Sequence, residues 1–117
     1  MCIVDTESAP GVVAFPSIPL YTASKHAVVG LTKAAALQYA KVGIRINVVA
    51  PAAIETDMFE AATGGQDKAK AYITGLHPIG RIGTPLEVAN AVLFLSSDLA
   101  SFVTGETLMV DGGFVAQ

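Results

Sequence analysis

Cysteine occurs once in this 117-residue sequence, at Cys2. A lone thiol excludes an intrachain disulfide, and the expectation is a small buried apolar side chain in a reducing, cytoplasmic setting. Charge is also scarce: Lys, Arg, Asp and Glu make up 15% of residues, against about 25% in an average soluble domain. The seven Lys and Arg are dispersed and the net charge is −3, so the basic patch that nucleic acid requires is missing. No run of eighteen or more apolar residues escapes interruption, so no membrane-spanning helix is expected. The opening MCIVDTESAP carries Asp5 and Glu7 where an export signal needs a basic stretch and then an unbroken apolar one.

Apolar residues are plentiful, at 52%. This length predicts one domain, residues 1–117, but it is short for hiding so much apolar surface. The expectation is therefore either association with copies of itself or a chain that is a piece of something larger whose buried surfaces are left uncovered.

CIVDT reads as a strand, and SAPGVVAFPSIP, with its glycine and three prolines, reads as a loop. From Tyr21 to Lys41 there is no proline and much alanine, which predicts a helix of about five turns stopped by Gly43. Its apolar residues occupy more than one face, so burial on two sides is expected, one against a sheet and one against another copy. IRINVVA is the next strand, and strand, helix, strand is the crossover unit of a parallel α/β sheet. PAAIETDMFEAATGGQ reads as a mobile loop, 67–76 as a short helix, and ETLMVDGG as a closing strand and turn. Between them, Thr84, Pro85 and Glu87 supply an N-cap, a first-turn proline and a capping-box acid for a further helix.

Tyr21 and Lys25 stand one helical turn apart, so both project from the same face. A phenol ordinarily ionises near pH ~10. An adjacent ammonium and the positive helix end both favour the phenolate, which equips such a pair for proton transfer to or from a substrate oxygen. Chance alone produces this spacing roughly once in eight chains of this composition. The spacing by itself does not choose between that device and an aromatic packed beside a solvated lysine.

The surroundings add weight. Ser8 precedes Tyr21 by thirteen positions, and the blocks YTASKHAVVGLT, IRINVVAPAAIETDM, RIGTPLEVANAVLFLSSD and TGETLMVDGG follow in order. Across residues 3–114 the chain resembles the short-chain dehydrogenase/reductase family. The resemblance implies the C-terminal half of a Rossmann-like, doubly wound parallel α/β sheet, with about three strands and three to four helices. It also implies NAD or NADP as cofactor and interconversion of small carbonyls and alcohols. Tyr21 would be the acid/base, Lys25 would assist it and hold the nicotinamide ribose, and Ser8 would hold the substrate oxygen. Pro51, Ile54 and Thr56 would meet the nicotinamide carboxamide. Pro51-Ala52 stands where the family usually has Pro-Gly, and a methyl there opposes a positive φ.

The family's glycine-rich phosphate turn and its catalytic asparagine have no counterpart here, so tight dinucleotide binding by this chain is not expected. The sheet would also lack the four strands beside its first, leaving an open edge. Two other readings are open: ester hydrolysis, with Ser8 as nucleophile and Tyr21 and Lys25 as its base, and a non-catalytic remnant or assembly module. No G-x-S-x-G elbow is present for the former, and no metal site is expected.

Overall fold

The computed structural model describes residues 1–117, with every side chain except that of Pro10. Three parallel strands, β1 (Cys2–Thr6), β2 (Arg45–Pro51) and β3 (Thr107–Val110), form a sheet in the order β1-β2-β3. Cys2 pairs with Arg45 and Thr6 with Val49 on one side, and Val48 with Thr107 and Pro51 with Val110 on the other. β2 is central and its residues Ile46 to Ala50 are all buried, as an apolar strand covered on both faces must be. The four helices are α1 (Pro19–Tyr39), α2 (Asp57–Thr63), α3 (Asp67–Gly75) and α4 (Pro85–Ser96). This is the α/β architecture expected from the alternation of apolar strand and helix.

Side chains alternate across a strand, and the two faces of β2 meet different helices. Val49 joins Leu95 and Ala100 in the core beneath α4, where Val4, Val92 and Leu108 also pack. α1 covers the opposite face, burying Val29, Thr32 and Ala36. Thr32 ties it down by donating to Asp5 Oδ2 at 2.8 Å.

Two polar side chains, the buried Asn47 and the half-buried Arg45, fasten the sheet. Asn47 donates to Val103 O at 3.0 Å and accepts from Glu106 N at 3.0 Å. Arg45 donates to the carbonyls of Leu95 and Ser97, which the end of α4 leaves open, and to that of Val103 in the segment leading to β3. At the other end of α4, the Thr84–Glu87 capping box forms as the sequence indicates. Glu87 also receives a two-pronged ion pair from Arg81 at 2.6 and 2.9 Å. The Arg81 guanidinium and the Thr84 N–H hold the Glu87 carboxyl down to about 2, from a usual value of 4.5.

Some expectations require correction. Residues 57–63 are helical and not loop: Thr56 caps them by accepting from Phe59 N at 3.3 Å, and Gly64 closes them at φ +58°. That short helix exists because it buries Phe59 and Thr63. α1 begins at Pro19, which suits its first turn, and ends at Tyr39. A 3-10 turn over Ala40–Val42 then leads to Gly43 at φ +80°. Its second face is bare within this chain, with Leu20, Leu31 and Leu37 each more than two-thirds exposed. Cys2 is half-buried. No helix is long and apolar enough to cross a membrane among the described residues.

Candidate active site

Parallel strands end together, and the loops leaving their C-terminal ends gather over one edge of the sheet. A cavity of about 560 Å³ lies there. The end of β1 contributes Thr6 and the residues just beyond it Glu7 and Ser8, α1 contributes Tyr21 and Lys25, and the end of β2 with the segment after it contributes Pro51 to Ile54 and Thr56. Phe59 of α2 and Pro85 and Val88 of α4 close the apolar side. All six residues singled out from the sequence, Ser8, Tyr21, Lys25, Pro51, Ile54 and Thr56, therefore line a single space.

Tyr21 and Lys25 meet because both lie in the first two turns of α1. The ammonium of Lys25 stands 5.4 Å from the centroid of the Tyr21 ring, within cation–π range. Its nearest anion is Glu7: Nζ is 3.4 Å from Oε1, with the Glu7 side chain fully buried and that of Lys25 one-quarter exposed. The same Oε1 accepts the backbone N–H of Ser8 at 3.0 Å. Glu7 thereby links the end of β1 to α1 directly beneath the Tyr–Lys pair. Gly11 makes room for it, since a Cβ there would stand 2.9 Å from Glu7 Cγ.

The segment after β2 is held from several directions. Ala52 N–H donates to Val110 O at 3.3 Å, Gly83 N–H to Ala53 O at 2.9 Å and Glu55 N–H to Gly83 O at 2.9 Å. Ala53 N–H donates to Nε2 of His77, whose Nδ1 side meets Ile73 O at 2.8 Å. The tautomer with its proton on Nδ1 satisfies both partners. Ala52 does not need a left-handed conformation, because every positive φ among the described residues belongs to glycine. The alanine that replaces the family's glycine is thus accommodated without strain.

Glu7, Phe59 and His77 were not singled out from the sequence. Glu7 carries the one available signal: it sits beside Ser8 at the end of a strand, at the mouth of any site built there. His77 and Phe59 act through contacts 24 residues or more distant or through a short helix, and no local pattern marks them. Groups of three or more His, Cys, Asp or Glu placed to hold a metal are absent among the described residues. A depression of about 590 Å³ at the opposite end of the sheet contains Arg45, but backbone carbonyls already occupy that guanidinium.

Comparison with known proteins agrees with this architecture. The family model described as enoyl-(acyl carrier protein) reductase matches residues 2–115. A 2,5-dichloro-2,5-cyclohexadiene-1,4-diol dehydrogenase of Sphingobium indicum is 49% identical over 97% of this chain and 46% of its own length. A cyclohexanol dehydrogenase of an Acinetobacter strain is 49% identical over 98% of this chain and 43% of its own length. Among solved structures, ElxO with NADP bound superposes with a TM-score of 0.90 at 41% identity, covering 99% of this chain and 47% of that one. Aldohexose dehydrogenase of Thermoplasma acidophilum gives 0.92 at 40% identity, covering 99% and 48%. The chain spans about half the length of the curated relatives it matches. With 114 of its residues matched by the family model and its sheet superposing on those of the family's solved structures, the chain belongs to the short-chain dehydrogenase/reductase family.

Proposed function

We propose that this chain forms the catalytic, nicotinamide-facing half of an NAD(P)-linked oxidoreductase that interconverts carbonyl and alcohol groups of small molecules. The observation that carries this reading is the convergence of Ser8, Tyr21, Lys25 and the Pro51–Thr56 segment on one cavity. The names of the relatives, dehydrogenases of a cyclic diol and of cyclohexanol, support it.

The cavity suits a nicotinamide and its ribose. It offers an apolar wall at Ile54 and Phe59, a backbone segment pinned by Gly83 and His77, and an ammonium able to donate to hydroxyl groups. Lys25 would hold the ribose, and Pro51, Ile54 and Thr56 would face the carboxamide. When bound, the nicotinamide gives or takes the hydride. Tyr21 then gives its phenolic proton to a carbonyl oxygen, or removes one from an alcohol. Ser8 holds that oxygen in line with the phenol.

Hydrolysis of esters by Ser8 finds no support in the geometry. The backbone N–H of Ser8 itself, which an oxyanion formed on Ser8 would call on, is already given to Glu7. Self-association through α1 belongs to the proposal, supported by its bare Leu20, Leu31 and Leu37, as does a cytoplasmic location, supported by the single cysteine.

Titration with NADH and NADPH, followed by nicotinamide fluorescence, tests the reading. A saturable change that weakens in Lys25→Met is expected, with affinity low because only the nicotinamide end is held. An unchanged signal at millimolar concentrations of both partners refutes it for this chain.

A further inference from the structure

A second, smaller cavity of about 210 Å³ adjoins the one that holds Tyr21 and Lys25. Ser8, Ala52 and Ala53 line both, so these three form the boundary between the two spaces. Two of them are alanines, whose single methyl groups offer little obstruction to a ligand that spans the boundary. Beyond it the wall comes from remote parts of the chain: Phe15 from the loop before α1, Ile73 and Leu76 from the end of α3, and Phe114 from the C-terminal turn. The Phe114 ring lies 5.9 Å from that of Phe15 and 5.4 Å from that of His77, so three rings support one another along this wall.

The two cavities differ in what they offer a ligand. The larger holds an ammonium and a carboxylate, those of Lys25 and Glu7. Among the described residues, no Asp, Glu, Lys or Arg lines the smaller one, and its polar side chains are Ser8 and His77 alone. Both nitrogens of His77 are already engaged, with Ala53 N–H and Ile73 O. Backbone groups of the wall are likewise drawn into the fold: Leu76 O and Phe114 O accept from the Gln117 side-chain amide, and Ala53 O accepts from Gly83 N–H. A charged substituent placed here would lose its water and gain no partner, which is strongly unfavourable. Apolar surface buried here is stabilised instead. Size sets the second limit. A cavity of about 150 Å³ lined by leucine, isoleucine and phenylalanine holds benzene, so this chamber has room for a single six-membered ring with a small substituent.

We propose that this chamber seats the carbon skeleton of the substrate, and that the substrate is an uncharged, compact, apolar alcohol or carbonyl compound with a body of about one six-membered ring. The inference rests on the reading of Ser8 and Tyr21 as the groups that meet the reacting oxygen. Ser8 then stands where the two ends of the molecule part. The oxygen lies with Tyr21 in the larger cavity, and the ring passes Ala52 and Ala53 into the smaller. Phe15, Ile73, Leu76 and Phe114 thereby select for shape and for absence of charge, a role separate from proton transfer.

Cyclohexylmethanol is the probe and trans-4-(hydroxymethyl)cyclohexanecarboxylate its charged counterpart, each titrated without nicotinamide and followed by NMR. The neutral alcohol should saturate at about millimolar concentration, with nuclear Overhauser effects from its ring protons to Phe15 and Phe114. The carboxylate should need about tenfold more ligand, or more, to give the same effects. Ile73→Trp, which fills the chamber, should weaken binding of the neutral alcohol by about tenfold or more. The proposal is overturned by lack of saturation, by contacts with Phe59 and Val88 in place of Phe15 and Phe114, by equal binding of the two probes, or by undiminished binding in Ile73→Trp. Should that variant fail to fold, the two probes on the unaltered protein decide. Neither probe needs a cofactor, so this outcome and that of the nicotinamide titration are read independently.

Discussion

The backbone N–H of Ala53 donates to Nε2 of His77 at 3.3 Å, fastening the segment that lines the cavity to the end of α3. His77 is buried, and its ring lies 5.4 Å from that of Phe114, which itself stacks on Phe15 at 5.9 Å. The C-terminal turn, the loop before α1 and the loop after β2 are thus joined through one imidazole. Replacement by phenylalanine keeps the aromatic packing but strands the Ala53 amide. His77→Phe should lose about 1–3 kcal/mol of stability, measured by urea unfolding, with faster hydrogen exchange at Ala53 as the local sign.

Tyr21 is nearly half exposed, and removing its hydroxyl should leave the fold intact, within about 0.5 kcal/mol. Its proposed part in proton transfer is a different matter. Tyr21→Phe should lower nicotinamide-linked turnover by about 10²–10⁴-fold, with a thermal midpoint close to the original. Turnover that survives the change would assign the proton to another group.

The pairing of Glu87 with Arg81 and Thr84 predicts an acid-side loss of stability. Its folded-state value, about 2, lies below the usual 4.5, so the unfolded chain binds a proton first as pH falls. The contribution is complete above the unfolded value and disappears as pH drops from about 5 toward 2. In Glu87→Gln the unfolding midpoint should vary less with pH across this window. The comparison is best made at low ionic strength, because the pair is solvent-exposed and salt screens it.

Asn47 lies fully buried in the central strand and satisfies one carbonyl and one amide of the segment leading to β3. Asn47→Leu keeps the branched shape, with larger methyl groups for the amide oxygen and nitrogen, but leaves Glu106 N without its partner and Val103 O with Arg45 alone. A loss of about 2–4 kcal/mol is expected by chemical denaturation. A neutral outcome would mean that water or a shifted backbone replaces the amide.

What could be read along the chain was what a single turn or strand contains. The Tyr21–Lys25 face, the Thr84–Glu87 box and the apolar run of β2 depend on neighbours within a few positions, so the sequence states them directly. The helix at Asp57–Thr63 escaped notice because its seven residues carry little periodicity and two glycines follow it. Its stability comes from burying Phe59, a contact no window of sequence contains. Ala52 illustrates the converse: the sequence raised a conflict with the family's glycine, and the backbone resolves it without a positive φ.

The sequence by itself determined the parallel α/β class and the identity of the residues placed at the C-terminal edge of the sheet. The strand–helix–strand alternation and the hand of its crossover follow from short-range pattern and chain chirality. Only the tertiary structure decided what those residues face. Glu7 meets Lys25 across eighteen positions and Ala53 meets His77 across 24. Such pairs form because packing a sheet against helices excludes water and leaves each buried polar group to find its partner wherever the fold brings one.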